Sequence, residues 1–525
     1  MPALRLLHDF LAHTAVVTPD AIACVAGGRS WRYAELDDAA LRLARRLQDA
    51  GVARGDRVVI FAENGWPAIV SIYGTLRAGG AFVVVNPQTK ADKLAYVLRD
   101  SGARALVASA MLAPVFVPAV GASPQLTCVL VAGLPEAGGL PELPQAQSFE
   151  RVLVEMPAAP SESGVIPIDL AAIIYTSGTT GEPNGVMMSH QAMAFLSGSL
   201  LEYLGLTSAD RILNVLPLAF GYGLYQLLCS VRVGASVVLG QSFAFPGQVL
   251  EAIRAEQATV FPGVPTMFKT IVGAHERAPL AFPSVRIVTN AAAALSPALF
   301  PALQTIFPNA RLFPMYGLTE CQRVCYLDPS LLAHKPGSVG KAIPGTEAFL
   351  RTVDGGPVAT GQRGVLHVRG PHVMMGYWNR PEETARMLLP GPYPGERTLC
   401  THDWFKTDDE GYLTFLGRSD DIIKTRGEKV SPVDVENCLH GIPGVREAAV
   451  VGIADEALGE AVCAYVALVD DSRLTEREIK RHCLARLESF LVPKEVRFVA
   501  ELPKTSSGKI RKKGIAELAW ERRDA

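Results

Sequence analysis

The segment Tyr175-Thr-Ser-Gly-Thr-Thr-Gly-Glu-Pro-Asn-Gly185 gathers residue types that suit phosphate. Nine of its eleven positions are Gly, Pro, Ser, Thr or Asn, and the apolar run Leu170–Ile174 precedes it. That order predicts a buried strand feeding a hydroxyl-rich loop. Gly178, Gly181 and Gly185 allow positive φ and close backbone approach. Ser177, Thr179 and Thr180 add hydroxyl donors to the exposed N–H groups, which together suit phosphate oxygens. No Gly-Lys-Ser/Thr follows at the spacing of the ordinary nucleotide-binding P-loop. On these residues alone, a polar turn with no ligand is the competing reading.

The elements that must hold such a loop follow from the surrounding pattern. Apolar strand-like runs at Arg57–Ala62, Ala81–Val85, Ala105–Ala108 and Cys128–Ala132 alternate with helical stretches such as Ala68–Ala78. This predicts an α/β domain with a mainly parallel sheet. A second α/β block places strands at Ser236–Leu239, Thr259–Pro262, Arg286–Asn290 and Arg311–Phe313. Short β-type runs from Gly345 to Leu416, separated by Asp-Gly and Gly-Pro turns, predict a small β-rich subdomain. Helical charge patterning returns at Asp434–His440 and at Thr475–Leu491. The reading is a large domain over 1–419 and a small α+β domain over 420–525.

At 525 residues the chain exceeds one typical core, and 49% hydrophobic against 19% charged residues gives it ample material to bury. A formal net charge of −2 offers no global attraction to nucleic acid or an anionic membrane. The first seventeen residues lack the apolar stretch of a signal peptide, and no run of 18 apolar residues predicts a membrane span. Nine scattered cysteines without CxxC pairs predict reduced buried thiols in a cytoplasmic protein.

The loop is followed, in order, by Met315-Tyr-Gly-Leu-Thr-Glu320, Gly376-Tyr-Trp, Lys406-Thr-Asp408, Gly417-Arg-Ser-Asp-Asp-Ile-Ile-Lys424 with Gly427, and Pro503-Lys-Thr-Ser-Ser-Gly-Lys509. This ordered set, from about Leu7 to Lys513, resembles the adenylate-forming superfamily of acyl- and aryl-CoA ligases, peptide-synthetase adenylation domains and luciferases. The resemblance implies ATP-dependent conversion of a carboxylic acid to acyl-AMP with pyrophosphate release. Transfer to a thiol, most simply that of CoA, follows. It also implies roles. Thr176, Ser177, Gly178, Thr179, Thr180 and Gly181 would cradle phosphate, Thr319 would bond the α-phosphate, and Glu320 would help hold Mg²⁺, a hard cation suited to carboxylate oxygen. Tyr316 would stack on adenine, with Gly317 beside it in the nucleotide site and the Asn290–Ala292 backbone at the adenine edge. Asp408 would accept from the ribose hydroxyls, assisted by Arg418. Lys509 would bridge carboxylate and phosphate oxygens. Asp420 would be the hinge of a mobile small domain, which presents Lys424 and Gly427 for the second step, Gly427 making room for a pantetheine arm.

Three departures shape the expected specificity. Asn184 stands where the loop usually carries lysine, removing a positive charge from the pyrophosphate path. Ala291 and Ala292 stand where many relatives have Gly-Gly. Phe220, in Leu216-Pro-Leu-Ala-Phe-Gly221, stands where many aryl-CoA ligases have histidine, and no acid is nearby to pair a substrate ammonium. The expected substrate is therefore a carboxylic acid without an α-amine, in a mostly apolar pocket of Phe220, Tyr222, Tyr225, Ala291, Ala292 and Cys321. Three alternatives share the motifs: an amide-forming ligase using an amine such as an amino acid as acceptor, a loader of a separate carrier protein, and a non-catalytic nucleotide binder. The last rests on Asn184 alone.

Overall fold

A computed structural model describes the chain except for residues 1–3, 135–139, 177–182, 419–420, 422, 426–427, 456–458, 471, 488, 506–508, 513, 519 and 521–525; for 424, 428–429 and 459 it describes the backbone only. The expected mixed architecture is present, a large α/β domain followed by a small one.

The first layer is an eight-stranded sheet. Ala81–Val84, Arg57–Phe61, Ala105–Ser109 and Cys128–Ala132 run parallel at its centre. Their continuous apolar composition fits a sheet covered on both faces, and Val58, Val59, Ile60 and Phe61 are all fully buried. Leu170–Thr176 joins parallel to Ala81–Val84 and pairs antiparallel with Asn184–Ser189, so the strands on either side of the glycine-rich segment are neighbours in this sheet.

The second sheet has fourteen strands, with Ser236–Leu239, Arg211–Asn214, Val260–Gly263, Ile287–Asn290 and Arg311–Tyr316 as its parallel core. The β-type runs after Gly345 are not an isolated sheet. Cys325–Tyr326 and Ser338–Ala342 turn back antiparallel against Arg311–Tyr316, and Leu413–Arg418, Arg397–Thr407, Arg363–Arg369 and Glu347–Arg351 extend the same ladder. The β-rich portion is thus held in register with the strand that ends at Tyr316.

Leu413–Arg418 ends the large sheet system, and Ile423–Thr425 opens a separate five-stranded sheet with Glu428–Val430, Gly459–Leu468, Val445–Asp455 and Glu495–Phe498. Helices Pro432–His440 and Glu476–Leu484 bury Val435, Leu439, Ile479 and Cys483 in its core. The second helix begins at a capping box in which Thr475 and Glu478 exchange hydrogen bonds. It stops at Leu484, seven residues before the expected end. Leu487 and Leu491 pack on the same core from a turn.

Candidate active site

Parallel strands present their carboxyl ends to ligands. Thr176 ends a strand of the first sheet, and Asn290 and Tyr316 end neighbouring strands of the second. At Tyr316 the chain enters Gly317-Leu-Thr-Glu320-Cys-Gln-Arg323, a tight turn. A Cβ on Gly317 would lie 2.3 Å from the Gln322 carbonyl oxygen and 2.8 Å from the Arg323 Cα, so only glycine lets the two backbones pass. Gln322 adopts φ +63, sparsely populated for a non-glycine residue, and its amide donates to the Thr319 carbonyl at 2.7 Å.

The Tyr316 ring packs edge-on against Phe405 with centroids 4.8 Å apart, and its hydroxyl donates to Asp403 Oδ2 at 2.5 Å. Asp403 is buried, and Arg418 Nε lies 3.4 Å from its other oxygen. That oxygen, Oδ1, is sealed from solvent without a hydrogen-bond partner. Burial pushes the Asp403 carboxyl up to about 6 and Glu320 adds to the rise, while Arg418, the Tyr316 hydroxyl and Lys509 pull it down.

Glu320 is held from the other side. Tyr377 donates its hydroxyl to Glu320 Oε1 at 2.6 Å, and the Glu320 carbonyl accepts from Met374 N at 2.8 Å. Gly376–Tyr377 is itself a short strand paired with Val186 and Met187, and Trp378 N donates to the Gly185 carbonyl. The Gly376-Tyr-Trp motif therefore ties the strand after the glycine-rich loop to the carboxylate of Glu320.

Lys509 comes from the small domain. It is exposed as a residue, yet protein atoms crowd its ammonium, and this burial together with Arg418 lowers its pKa while Asp403 and Glu320 oppose the fall. The stem of such a side chain can lie in solvent while its charged end does not. Two carboxylates, one guanidinium and one ammonium thus share one electrostatic neighbourhood.

Asp408 is not part of it. Its Oδ1 accepts from the Glu410 and Tyr412 backbone N–H groups at 3.0 and 2.9 Å, and Lys335 Nζ binds Oδ2 at 2.7 Å. These bonds build the turn before Leu413–Arg418. The carboxylate in the cluster is Asp403, five residues earlier. One sequence signal pointed to it: an acid lies between Cys400 and Phe405, in a stretch flanked by the apolar Leu399-Cys400 and Trp404-Phe405, all four of which are buried. His402 beside it adopts φ +56, a second local irregularity at the same place.

Thr176 donates Oγ1 to the Asn184 carbonyl at 3.4 Å across the hairpin, and Thr319 is half-buried beside Glu320. Ser177, Gly178, Thr179, Thr180, Gly181, Asp420 and Gly427 lie outside the described residues, and Lys424 is described as strand backbone only. Asn290 is buried, donates Nδ2 to the Ala293 carbonyl at 3.0 Å and leaves Oδ1 unpartnered. Ala292 adopts φ +77, a conformation that favours glycine.

On the far side of the Glu320 turn, Phe220 caps helix Gly221–Val233, and Tyr222 donates to Thr289 at the end of the Asn290 strand. Tyr225 and Cys321 are buried, and the Tyr225 hydroxyl has no partner. Arg323, absent from the sequence reading, lies among these residues. It is 4% exposed, and its guanidinium carbon is 5.2 Å from the centre of the Tyr222 ring. The expected apolar lining therefore includes a buried cation.

No group of three or more His, Cys, Asp or Glu side chains among the described residues is placed to hold a metal ion, and the nine cysteines are free, eight of them buried. Among the described residues no helix is long and apolar enough to cross a membrane.

Comparison with known proteins places this geometry. The AMP-binding enzyme family matches residues 11–378 and the AMP-binding enzyme C-terminal domain matches 434–509. The chain is 34% identical over 512 residues to a feruloyl-CoA synthase of Amycolatopsis sp, covering 96% of this chain and 97% of that one. It is 31% identical over 507 residues to a 3-hydroxybenzoate–CoA ligase of Aromatoleum sp. (strain CIB), covering 95% and 94%. Among solved structures it resembles an anthranilate CoA ligase in complex with anthranoyl-AMP, with a TM-score of 0.90, 27% identity and 98% of each chain covered. A benzoate CoA ligase from Burkholderia xenovorans superposes with a TM-score of 0.86 at 27% identity, covering 97% of this chain and 99% of that one. With both domains matched, the chain belongs to the AMP-binding enzyme family as an AMP-forming acid–CoA ligase.

Proposed function

We propose the following division of labour for acid activation and transfer to CoA. Asp403 receives the ribose hydroxyls of ATP through Oδ1, with Tyr316 and Arg418 fixing the carboxylate. The Tyr316 ring and the free Oδ1 of Asn290 meet the adenine, the latter as acceptor for its amino group. Loop residues Thr176 to Gly181 cradle the phosphates, and Thr319 bonds the α-phosphate. Glu320, held by Tyr377, is the protein carboxylate for Mg²⁺; one protein oxygen fits a cation that draws its remaining ligands from phosphate and water. When bound, Mg²⁺ neutralises charge on the phosphates. Lys509 pairs with the entering carboxylate and the α-phosphate oxygens, where charge grows as the bond forms. The carboxylate oxygen attacks the α-phosphorus, pyrophosphate leaves, and the CoA thiol then displaces AMP from the acyl carbon.

The observation that carries these roles is the convergence of Asp403, Arg418, Glu320 and Lys509 at one place, with Lys509 supplied by the other domain. We read 1–419 and 420–525 as the two working units, with Asp420 as hinge and Lys424 and Gly427 on the face used with CoA. Cytoplasmic residence fits that chemistry, because ATP and CoA are available there. A purified sample given ATP, Mg²⁺, a panel of acids and CoA should release AMP and pyrophosphate and yield a product with the mass of an acyl-CoA. Asp403→Ala should raise the KM for ATP by at least tenfold, whereas Asp408→Ala should leave it unchanged. An amide product with amine acceptors and no thioester would remove CoA as acceptor, and equal ATP KM values for the two variants would remove Asp403 from the ribose.

A further inference from the structure

Arg323 is a buried cation without a counter-charge. Its Nε is sealed from solvent and has no hydrogen-bond partner, and no carboxylate, amide or carbonyl among the described residues bonds to its guanidinium. Its surroundings are aromatic rings and thiols. Tyr222 lies under the guanidinium, and the groups whose ionisation Arg323 influences are Tyr203, Tyr222, Tyr225, Cys229 and Cys321. Buried arginines are ordinarily paired, because an isolated charge taken out of water costs more than a ring face returns. The Tyr225 hydroxyl beside it is also sealed and unpartnered. Two orphaned donors at one place point to an acceptor that arrives with the ligand.

That place is separate from the adenylation cluster. The charged groups bearing on Lys509 are Arg418, Asp403 and Glu320, and Arg323 is not among them. Only Cys321 and a left-handed Gln322 lie between Glu320 and Arg323 in the chain, and Cys321 points into the protein at 0% exposure. An acid whose reacting carboxylate lies at Lys509 and whose far end reaches past the Glu320 turn would meet Arg323. Building on the acid-ligase reading above, we propose that Arg323 is a specificity residue for a second carboxylate, so that the substrate class is a dicarboxylic acid. A carboxylate satisfies a guanidinium through two parallel hydrogen bonds and can take the Tyr225 hydroxyl as well.

The test pairs acids that differ only at the far end: terephthalate against 4-methylbenzoate, isophthalate against 3-methylbenzoate, and suberate against octanoate. Each is assayed for ATP-dependent AMP release with the wild type, Arg323→Met and Arg323→Lys. In at least one pair the wild type should favour the diacid in kcat/KM by tenfold or more. Arg323→Met should lower kcat/KM for that diacid by about 10²-fold or more, the penalty typical of a site built to pair a polar group. The loss should appear mainly in KM, the monoacid partner should be unaffected or improved, and Arg323→Lys should restore part of the diacid rate. Faster turnover of the monoacid in every pair, or an equal loss for both members in Arg323→Met, overturns the proposal. If no acid yields AMP, the ligase reading fails on its own, and thermal shifts with each diacid alone still decide Arg323. Stabilisation of the wild type but not of Arg323→Met supports it, and equal or absent shifts in both proteins overturn it.

Discussion

Asp403 carries its function in its burial. A carboxyl held near 6 when folded, against 3.8 as a free side chain, keeps its proton over that interval while the unfolded chain has released it. Folding stability from this group is therefore present at low pH and falls as pH rises from about 4 to about 6, by on the order of 1–3 kcal/mol. Ligand binding runs the other way, since only the carboxylate accepts from two hydroxyls. Adenosine, which has no phosphate to titrate, should bind more weakly by up to tenfold per pH unit below 6, and Asp403→Asn should bind it weakly at every pH. The same variant should unfold at a higher temperature than wild type above pH 6. Adenosine affinity measured by calorimetry between pH 5 and 8 checks this; a flat wild-type profile rejects the assigned role. The sequence reading chose Asp408 because Thr407-Asp408 has the expected local form. Sequence spacing does not reveal which of two nearby acids faces inward, and here the strand Arg397–Thr407 turns Asp403 inward while Asp408 closes a solvent-exposed turn with Lys335. Arg323 was illegible for a related reason: its meaning lies in the absence of a partner, and only packing reveals that.

The turn from Tyr316 to Arg323 is the element on which the site depends. It fixes Glu320 toward Tyr377 and Arg323 toward Tyr222 from a single stretch of eight residues, and it does so because Gly317 lets the backbone cross close to Gln322 and Arg323. A methyl there has backbone atoms, not flexible side-chain ends, to push against. Gly317→Ala should cost about 1–3 kcal/mol of stability, the usual range for forced overpacking, and should lower adenylation by at least tenfold because Glu320 moves with the turn. A melting curve and pyrophosphate release measured on one preparation check both; wild-type adenylation in a destabilised Gly317→Ala protein would show that the turn positions nothing chemical. At this scale the sequence was informative. The parallel strands ending at Thr176, Asn290 and Tyr316 were anticipated to within three residues, because apolar runs bounded by turns report buried strands well. What the pattern could not convey was that the strands after Gly345 continue the second sheet, since pairing partners lie far apart in the chain.

Across the whole molecule, the decisive fact is that a residue of the small domain stands at the site of the large one. Besides Lys509, two hydrogen bonds are among the described contacts between the domains. Lys269 in helix Pro265–Arg277 donates to the Val445 carbonyl at 2.9 Å, and Ser431 donates to the Leu416 carbonyl. Lys269 is half-buried, its pKa lowered to about 8 by that burial and by Arg446 against the pull of Glu447, so its ammonium has given up water for this one contact. Hydrogen bonds of this kind form a latch that can break between half-reactions, as the proposed rotation about Asp420 requires. The two lysines should then separate by half-reaction. Lys509→Ala should suppress acyl-AMP formation by about 10²-fold or more, the scale of a lost preorganised electrostatic contact. Lys269→Met should slow the same step by only about 5- to 30-fold, as expected for one hydrogen bond to a charged group worth roughly 1–2 kcal/mol. Neither should slow thioester formation from preformed acyl-AMP and CoA, and Lys269→Met should speed it if release of the latch limits that step. Rapid-quench measurement of each half-reaction separates these outcomes. Equal losses in both half-reactions for Lys509→Ala would place that lysine in a structural role, and unchanged adenylation in Lys269→Met would mean that Val445 is held by the small domain's own packing rather than by the latch.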